Sequence, residues 1–266
     1  MPIIIAIVVL ILLLFLALLP SCRKISDLKL LSGLYIAHRG LHKKEDGVPE
    51  NSLIAFAKAA AEGFAIENDI HITKDNEVVV FHDSTLKRMC GVDGIIEEKT
   101  LNELRALRLL DTDERIPTLK ECLDTVEGRV PILIEFKCEP KNCKRLCEAA
   151  NKILFDYKGK YFVQSFYPGV PAWYKRNRKD ILRGQLAMKP VKKGILVRLV
   201  SNFVLNFWAR PDFVAYDQKN SNRLCFKMQK LLGAFPVGWT FRNQEELDKG
   251  KTKFKAYIFE NFIPKK

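Results

Sequence analysis

No Cys-x-x-Cys pair occurs in the chain, no segment repeats at a fixed period, and no stretch is low in complexity. The first absence removes the common zinc-binding patterns, and the second removes repeat arrays. Seven cysteines are present, at 22, 90, 122, 138, 143, 147 and 225. The odd count and the spacing of Cys138, Cys143 and Cys147 read as buried free thiols in a reducing compartment. A hydrophobic share of 48% and a charged share of 28% exclude global disorder and leave room for one large domain in 266 residues. Lys and Arg outnumber Asp and Glu by 13 (44 − 31), which favours anionic partners such as acidic lipid surfaces or phosphate-bearing substrates. Charge is the only pointer to nucleic acid. No motif supports it, and none is expected as a partner.

Charge is missing altogether from residues 3–19, an uninterrupted apolar run of seventeen. Its length reads as a short membrane-spanning helix, and the missing basic start speaks against a secretory leader. Leu19-Pro20-Ser21-Cys22 only faintly resembles a lipoprotein cleavage site. Arg23, Lys24, Lys29, Lys43 and Lys44 all follow the run, so the positive-inside tendency puts the downstream domain on the cytoplasmic face, beside an anionic membrane surface. The expected division is an anchor at 1–22, a linker at 23–33 and a catalytic domain at 34–266.

Strand-like runs occupy 34–37, 65–70, 78–81, 132–136, 161–164, 181–186, 213–216, 236–239 and 256–259. Helical patterns fall at 52–62, 118–126, 141–157, 221–232 and 243–249. Asn51 is placed to cap the first of these helices and Gly63 to end it. Only residues 71–77 separate the second strand from the third. A parallel crossover needs about a dozen residues, so these two form a hairpin turning at Asp75-Asn76. Eight strands then alternate with helices, the count of a (β/α)₈ barrel of about 250 residues, although an open doubly wound sheet shares the alternation.

Polar residues concentrate where these strands end. The first runs into His38-Arg39-Gly40, the second carries Glu67 and Asp69, the hairpin arm runs into His82-Asp83, and the fourth carries Glu135 ahead of Lys137. Glu67 and Asp69 share parity, so both project to one face. Three convergent carboxylates need a compensating cation, and all-oxygen donors suit one hard divalent ion, Mg²⁺ or Ca²⁺. His38 and His82 offer a proton acceptor and a donor at neutral pH, and Arg39 offers a fork for phosphate. His71 shares the parity of the carboxylates but reads as a hairpin residue.

These residues resemble the glycerophosphodiester phosphodiesterase family. The likeness runs through Ala37-His38-Arg39-Gly40, Pro49-Glu50-Asn51-Ser52, Ile66-Glu67-Asn68-Asp69-Ile70, Val80-Phe81-His82-Asp83, Ile116-Pro117-Thr118-Leu119, Ile134-Glu135-Phe136-Lys137, Gln164-Ser165-Phe166 and Trp239-Thr240. The resemblance implies a (β/α)₈ barrel that hydrolyses glycerophosphodiesters to glycerol 3-phosphate and an alcohol. It implies Glu67, Asp69 and Glu135 as metal ligands, His38 as base and His82 as acid. Arg39 and Lys137 become phosphate contacts, and Trp239 an aromatic at the mouth. Phe259-Glu260-Asn261 stands where the family often has Thr-Asp, a departure expected to leave the chemistry untouched. Residues 194–208 are richer in apolar side chains than the other helices. They read first as a barrel helix and second as a helix resting on a bilayer, with Trp208 and Arg210 at its interface. Two other functions stay open: a phospholipase acting on lysolipid or intact lipid, and a non-catalytic membrane-bound binding protein.

Overall fold

The computed structural model describes residues 1–21, 27–190 and 194–265. Its strands are β1 (Tyr35–Ala37), β2 (Ala65–Ile72), β3 (Val78–Val80), β4 (Ile132–Phe136), β5 (Tyr161–Ser165), β6 (Arg183–Ala187), β7 (Phe213–Asp217), β8 (Phe235–Phe241) and β9 (Ala256–Phe259). All nine expected runs are strands. β3 lies antiparallel on β2, pairing His71 with Val79. The other eight are parallel, and β1 pairs with both β2 and β9, which closes the sheet into a barrel and excludes the open alternative.

Closure makes every strand two-faced, so the apolar side chains divide into two layers. Ile36, Leu133, Phe162, Phe213, Val237 and Ile258 fill the barrel interior. Ile66, Ile70, Ile134, Val163 and Val214 point outward against helices such as Leu119–Val126 and Cys143–Phe155. Each large side chain so buried contributes about 1.5–3 kcal/mol. Leu28 and Leu31, expected in a linker, are buried in the inner layer beside the short 3₁₀ turn Asp27–Leu30. A third cluster, including Phe81, Leu86, Met89, Ile96 and Leu104, forms under an excursion that follows β3. The sequence pattern missed the short helices of this excursion, Lys87–Cys90 and Leu101–Arg105, and also the helix Gly169–Asn177.

The anchor expectation is overturned. No helix among the described residues is long and apolar enough to cross a membrane. The first helix, Pro2–Leu18, has 17 residues, or about 25 Å at 1.5 Å per residue, against roughly 30 Å of hydrocarbon. Leu19, before Pro20, leaves the helical region (φ −58°, ψ 129°). The chain is then pinned to the barrel. Asn206 and Gln229 donate to the Leu18 carbonyl and Arg210 to that of Leu19. The cytoplasmic orientation inferred from the anchor falls with it. Cys22, Arg23 and Lys24 lie outside the described residues.

The apolar segment at 194–208 is likewise not one helix. It forms Ile195–Ser201 and Asn206–Ala209, interrupted where buried Phe203 takes φ 62°. Trp208 packs edge-on against Tyr167, and Arg210 is spent on the Leu19 carbonyl, so both residues are engaged by the protein itself.

Candidate active site

β2 and β4 deliver the carboxylates. Glu67, Asp69 and Glu135 are buried, and each offers an oxygen within 4.8 Å of the others. Burial, with Asp69 and Glu135 beside it, pushes the Glu67 carboxyl well above its usual range. Burial pushes Glu135 up as well. It opposes ionisation of Asp69 too, but Lys137, His82 and Arg39 hold that carboxyl below the usual range. Lys137 Nζ sits 3.0 Å from Asp69 and 2.5 Å from Glu135, and these two carboxylates keep it protonated despite burial. The oxygens it faces, Asp69 Oδ1 and Glu135 Oε1, have no aligned hydrogen bond. Buried, all-oxygen and short of donors, the trio fits a hard divalent cation.

The turn after β1 brings His38 and Arg39 to the same place. Arg39 adopts φ 57°, and its backbone N–H donates to Glu67 at 3.0 Å. Its guanidinium donates to Glu50 at 2.7 Å and lies 3.6 Å from Asp69. Gly40 makes the turn possible. At φ 81°, a Cβ there would stand 2.8 Å from the Ala55 Cβ. Asn51 does not cap the next helix. Ser52 does, accepting from the Ala55 N–H, while Asn51 donates to Asp69 at 2.9 Å. Gly63 follows the end of that helix at φ 69°, as expected.

Both catalytic candidates are backed alike. His38 Nδ1 bonds Glu260, whose other oxygen is 2.7 Å from Arg242. His82 Nδ1 bonds Asp83 at 2.7 Å, and Arg88 clamps Asp83 and Glu50 together. An imidazole facing a carboxylate through Nδ1 carries its proton there, which leaves Nε2 to face the site. Nε2 of His38 is 4.0 Å from Glu67. Burial is the main force lowering His82, to about 4, with Lys137 and Arg39 acting the same way and Asp69 opposing them. Burial works against Glu260 and Asp83 as well, yet their partners hold each down to about 2.

Some of these residues escaped the sequence reading. Glu260, taken to stand apart from the chemistry, is the partner of His38. His71 is more than a hairpin residue, since its Nε2 is 3.3 Å from the His82 carbonyl and its Nδ1 faces Glu97. Gln164, next to Glu135 in register, carries a buried Oε1 with no hydrogen-bond partner, as does Nε1 of Trp239. Trp239 meets Phe166 edge to face at 5.9 Å. A cavity of about 760 Å³ opens beside His82, Glu135 and Lys137.

Residues 38–255 match the model of the Glycerophosphoryl diester phosphodiesterase family. A putative glycerophosphodiester phosphodiesterase, YhdW of Bacillus subtilis (strain 168), is 32% identical over 79% of this chain and 86% of its own length. A lysophospholipase D of Rattus norvegicus is 33% identical over 48% of this chain and 43% of its own. Among solved structures, an Oleispira antarctica phosphodiesterase in complex with the product sn-glycerol-3-phosphate superposes with a TM-score of 0.71. It is 21% identical and aligns over 86% of this chain and 93% of that one, a likeness of fold.

Proposed function

Because the chain belongs to the glycerophosphoryl diester phosphodiesterase family, we propose that its barrel mouth cleaves glycerophosphodiesters to glycerol 3-phosphate and an alcohol, with His38 and His82 as the acid–base pair. The observation that carries this reading is the pairing of two carboxylate-backed imidazoles with a buried cluster of Glu67, Asp69 and Glu135. Those three carboxylates would hold one divalent cation, Mg²⁺ or Ca²⁺, which when bound supplies Lewis-acid stabilisation of charge on the phosphoryl oxygens.

The chain's own residues account for the rest. Arg39 and Lys137 hold the anionic phosphodiester. Gln164 Oε1 and Trp239 Nε1 offer an acceptor and a donor to the substrate's hydroxyls. Nε2 of His38 takes the proton from the attacking oxygen, either water or the substrate's own glycerol hydroxyl. Nε2 of His82 gives a proton to the departing alkoxide. His82 is held low in part by Lys137 and Arg39, so an anion on those two cations raises its proton affinity on binding. The acid is thereby charged when substrate arrives.

A second substrate class has support from the relative named lysophospholipase D. Release of glycerol 3-phosphate from glycerophosphocholine, measured beside choline release from lysophosphatidylcholine, separates the two. We expect the water-soluble diester to be turned over, activity to vanish with excess chelator, and Mg²⁺ or Ca²⁺ to restore it. Full activity in chelator removes the cation from this reading, and turnover of lysolipid alone replaces the substrate.

A further inference from the structure

Where the β2–β3 hairpin ends, His82 is held by something other than the sheet. Phe81 still donates its N–H to the Asp69 carbonyl at 2.9 Å, but past it His82 makes no backbone–backbone hydrogen bond among the described residues. Its carbonyl instead lies 3.3 Å from Nε2 of His71. A carbonyl has no proton to give, so Nε2 is the donor. The ring of His82 is oriented separately, by Asp83 at Nδ1. Two contacts therefore place the nitrogen that faces the site, one on the ring and one on the backbone behind it.

His71 is itself anchored on its far side. It is buried on β2, two residues beyond Asp69, so it shares the face of the carboxylates. Its Nδ1 pairs with Glu97 Oε1 at 3.3 Å. Glu97 belongs to the 3₁₀ turn Ile96–Glu98, whose Ile96 N–H donates to the Ser84 carbonyl at 3.0 Å. The second Glu97 oxygen accepts from Nδ2 of buried Asn142 at 2.7 Å, and Asn142 Oδ1 accepts from the Glu139 N–H at 2.8 Å. Barrel strand, excursion and the loop after β4 thus meet around one imidazole. A satisfied core histidine would show the same number of contacts. What sets this one apart is what it holds, the backbone of the residue read above as the acid.

We propose that His71 is a positioning residue for proton transfer: by holding the His82 carbonyl it sets where Nε2 of His82 stands relative to the departing oxygen. Glu97 and Asn142 keep His71 in place. In this role His71 acts through His82 alone, so its loss falls on alignment and leaves substrate affinity unchanged. Misplacing a reacting group by about 1 Å can cost as much as ~10²-fold in rate. The rate consequence rests on the reading of His82 as the acid; the tie itself does not.

Variants of the intact chain, assayed with Mg²⁺, separate this role from a merely structural one. His71→Leu keeps the bulk and removes the donor, while His71→Gln returns an N–H close to the position of Nε2. Thermal melting establishes that each is folded. His71→Asn, too short to reach the His82 carbonyl, replaces His71→Leu if that variant does not fold. On glycerophosphocholine, His71→Leu should lower kcat about 10- to 100-fold with KM little changed, and His71→Gln should recover most of the rate. Added to His82→Ala, His71→Leu should cost no further rate, because both act on one step. On glycerophospho-p-nitrophenol, whose leaving group departs as an anion, His71→Leu and His82→Ala should each lose less than about threefold.

Equal loss from His71→Leu on the two substrates, where His82→Ala discriminates between them, overturns the proposal. So does an additive loss in the double variant, a raised KM at unchanged kcat, or a folded His71→Leu at the parental rate. Equal loss from His82→Ala on both substrates, or a parent without turnover, counts against the functional reading alone. Amide exchange then decides the tie. Phe81 and Ile96, bonded on either side of it, should exchange about tenfold faster in His71→Leu, and parental rates at both overturn it.

Discussion

His38 and His82 make the same contact, Nδ1 to a carboxylate fixed by an arginine, from two regions built differently. His38 belongs to the barrel frame, and its acceptor, Glu260, is 222 positions away, directly after the strand that closes the sheet. His82 follows β3 at the start of an excursion with its own small core, and its acceptor is the next residue. The clamps differ as well. Arg88 makes four hydrogen bonds to Asp83 and Glu50, tying the excursion back to the turn that carries Arg39. Arg242 is about half exposed and holds Glu260 through one ion pair. A side chain on an excursion needs a dense local clamp; one mounted on the frame borrows its rigidity from the closed sheet.

The largest effect that bears on this comparison is removal of either imidazole. His38→Ala and His82→Ala should each lower kcat by about 10²- to 10⁴-fold. The double variant should be little worse than either single one, because the pair acts as a unit. Stopped-time release of glycerol 3-phosphate measures this, and a folded His82→Ala enzyme within about threefold of the parent would contradict a general-acid role.

A smaller effect separates the two mounts. Glu260→Gln and Asp83→Asn should each cost at least about 10- to 100-fold, the loss seen when a carboxylate that orients a metal-bound imidazole is removed. Glu260→Gln should be the worse, since Asp83 is more exposed (22% against 11%) and water can replace it. The loss should fall on kcat with KM little changed. The reverse ranking would mean that the excursion, not the frame, sets the alignment.

The smallest effect is on acid stability. Glu260 is held at about 2 against an ordinary 4.5, and Asp83 at about 2 against 3.8. A depressed carboxylate contributes stability that is fully present above its unfolded value and fades as pH falls through its folded one. Melting temperature should therefore drop between pH about 4.5 and 2. Glu260→Gln should flatten that decline more than Asp83→Asn does, because its displacement is larger. An unchanged acid limb in Glu260→Gln would show that its ion pairs do not survive in solution.

These contrasts also explain what could be read in the sequence. Strands were legible because a run such as 132–136 is buried on both faces, and the hairpin because seven residues cannot make a parallel crossover. Glu67, Asp69 and Glu135 were legible by parity and by their place at strand ends. Asp83 sits beside His82 in the motif, so its closeness could be read there. Glu260 could not be read, because nothing local to it encodes a partner 222 residues away. Asn51 was misread for a related reason: position suggested a helix cap, but φ 54° turns it toward Asp69, while Ser52 takes the cap. The apolar run at 3–19 carried the opposite hazard. Composition and length together suggested a short span, while the helix that forms, 17 residues ending before Pro20, is not long and apolar enough to cross a membrane.

Closure by β1 and β9 also imposes an order in time. During synthesis β1 and β2 can pair early, since short loops close at little entropic cost. The partner of β1 on its other side emerges only after β8 and the helix Gln244–Lys251. Until then Nδ1 of His38 has no acceptor and the barrel has two open edges. A nascent chain can therefore hold the carboxylates of β2 and β4 in register while His38 still lacks its partner, and the last strand to arrive both seals the fold and brings Glu260 to the histidine that follows the first.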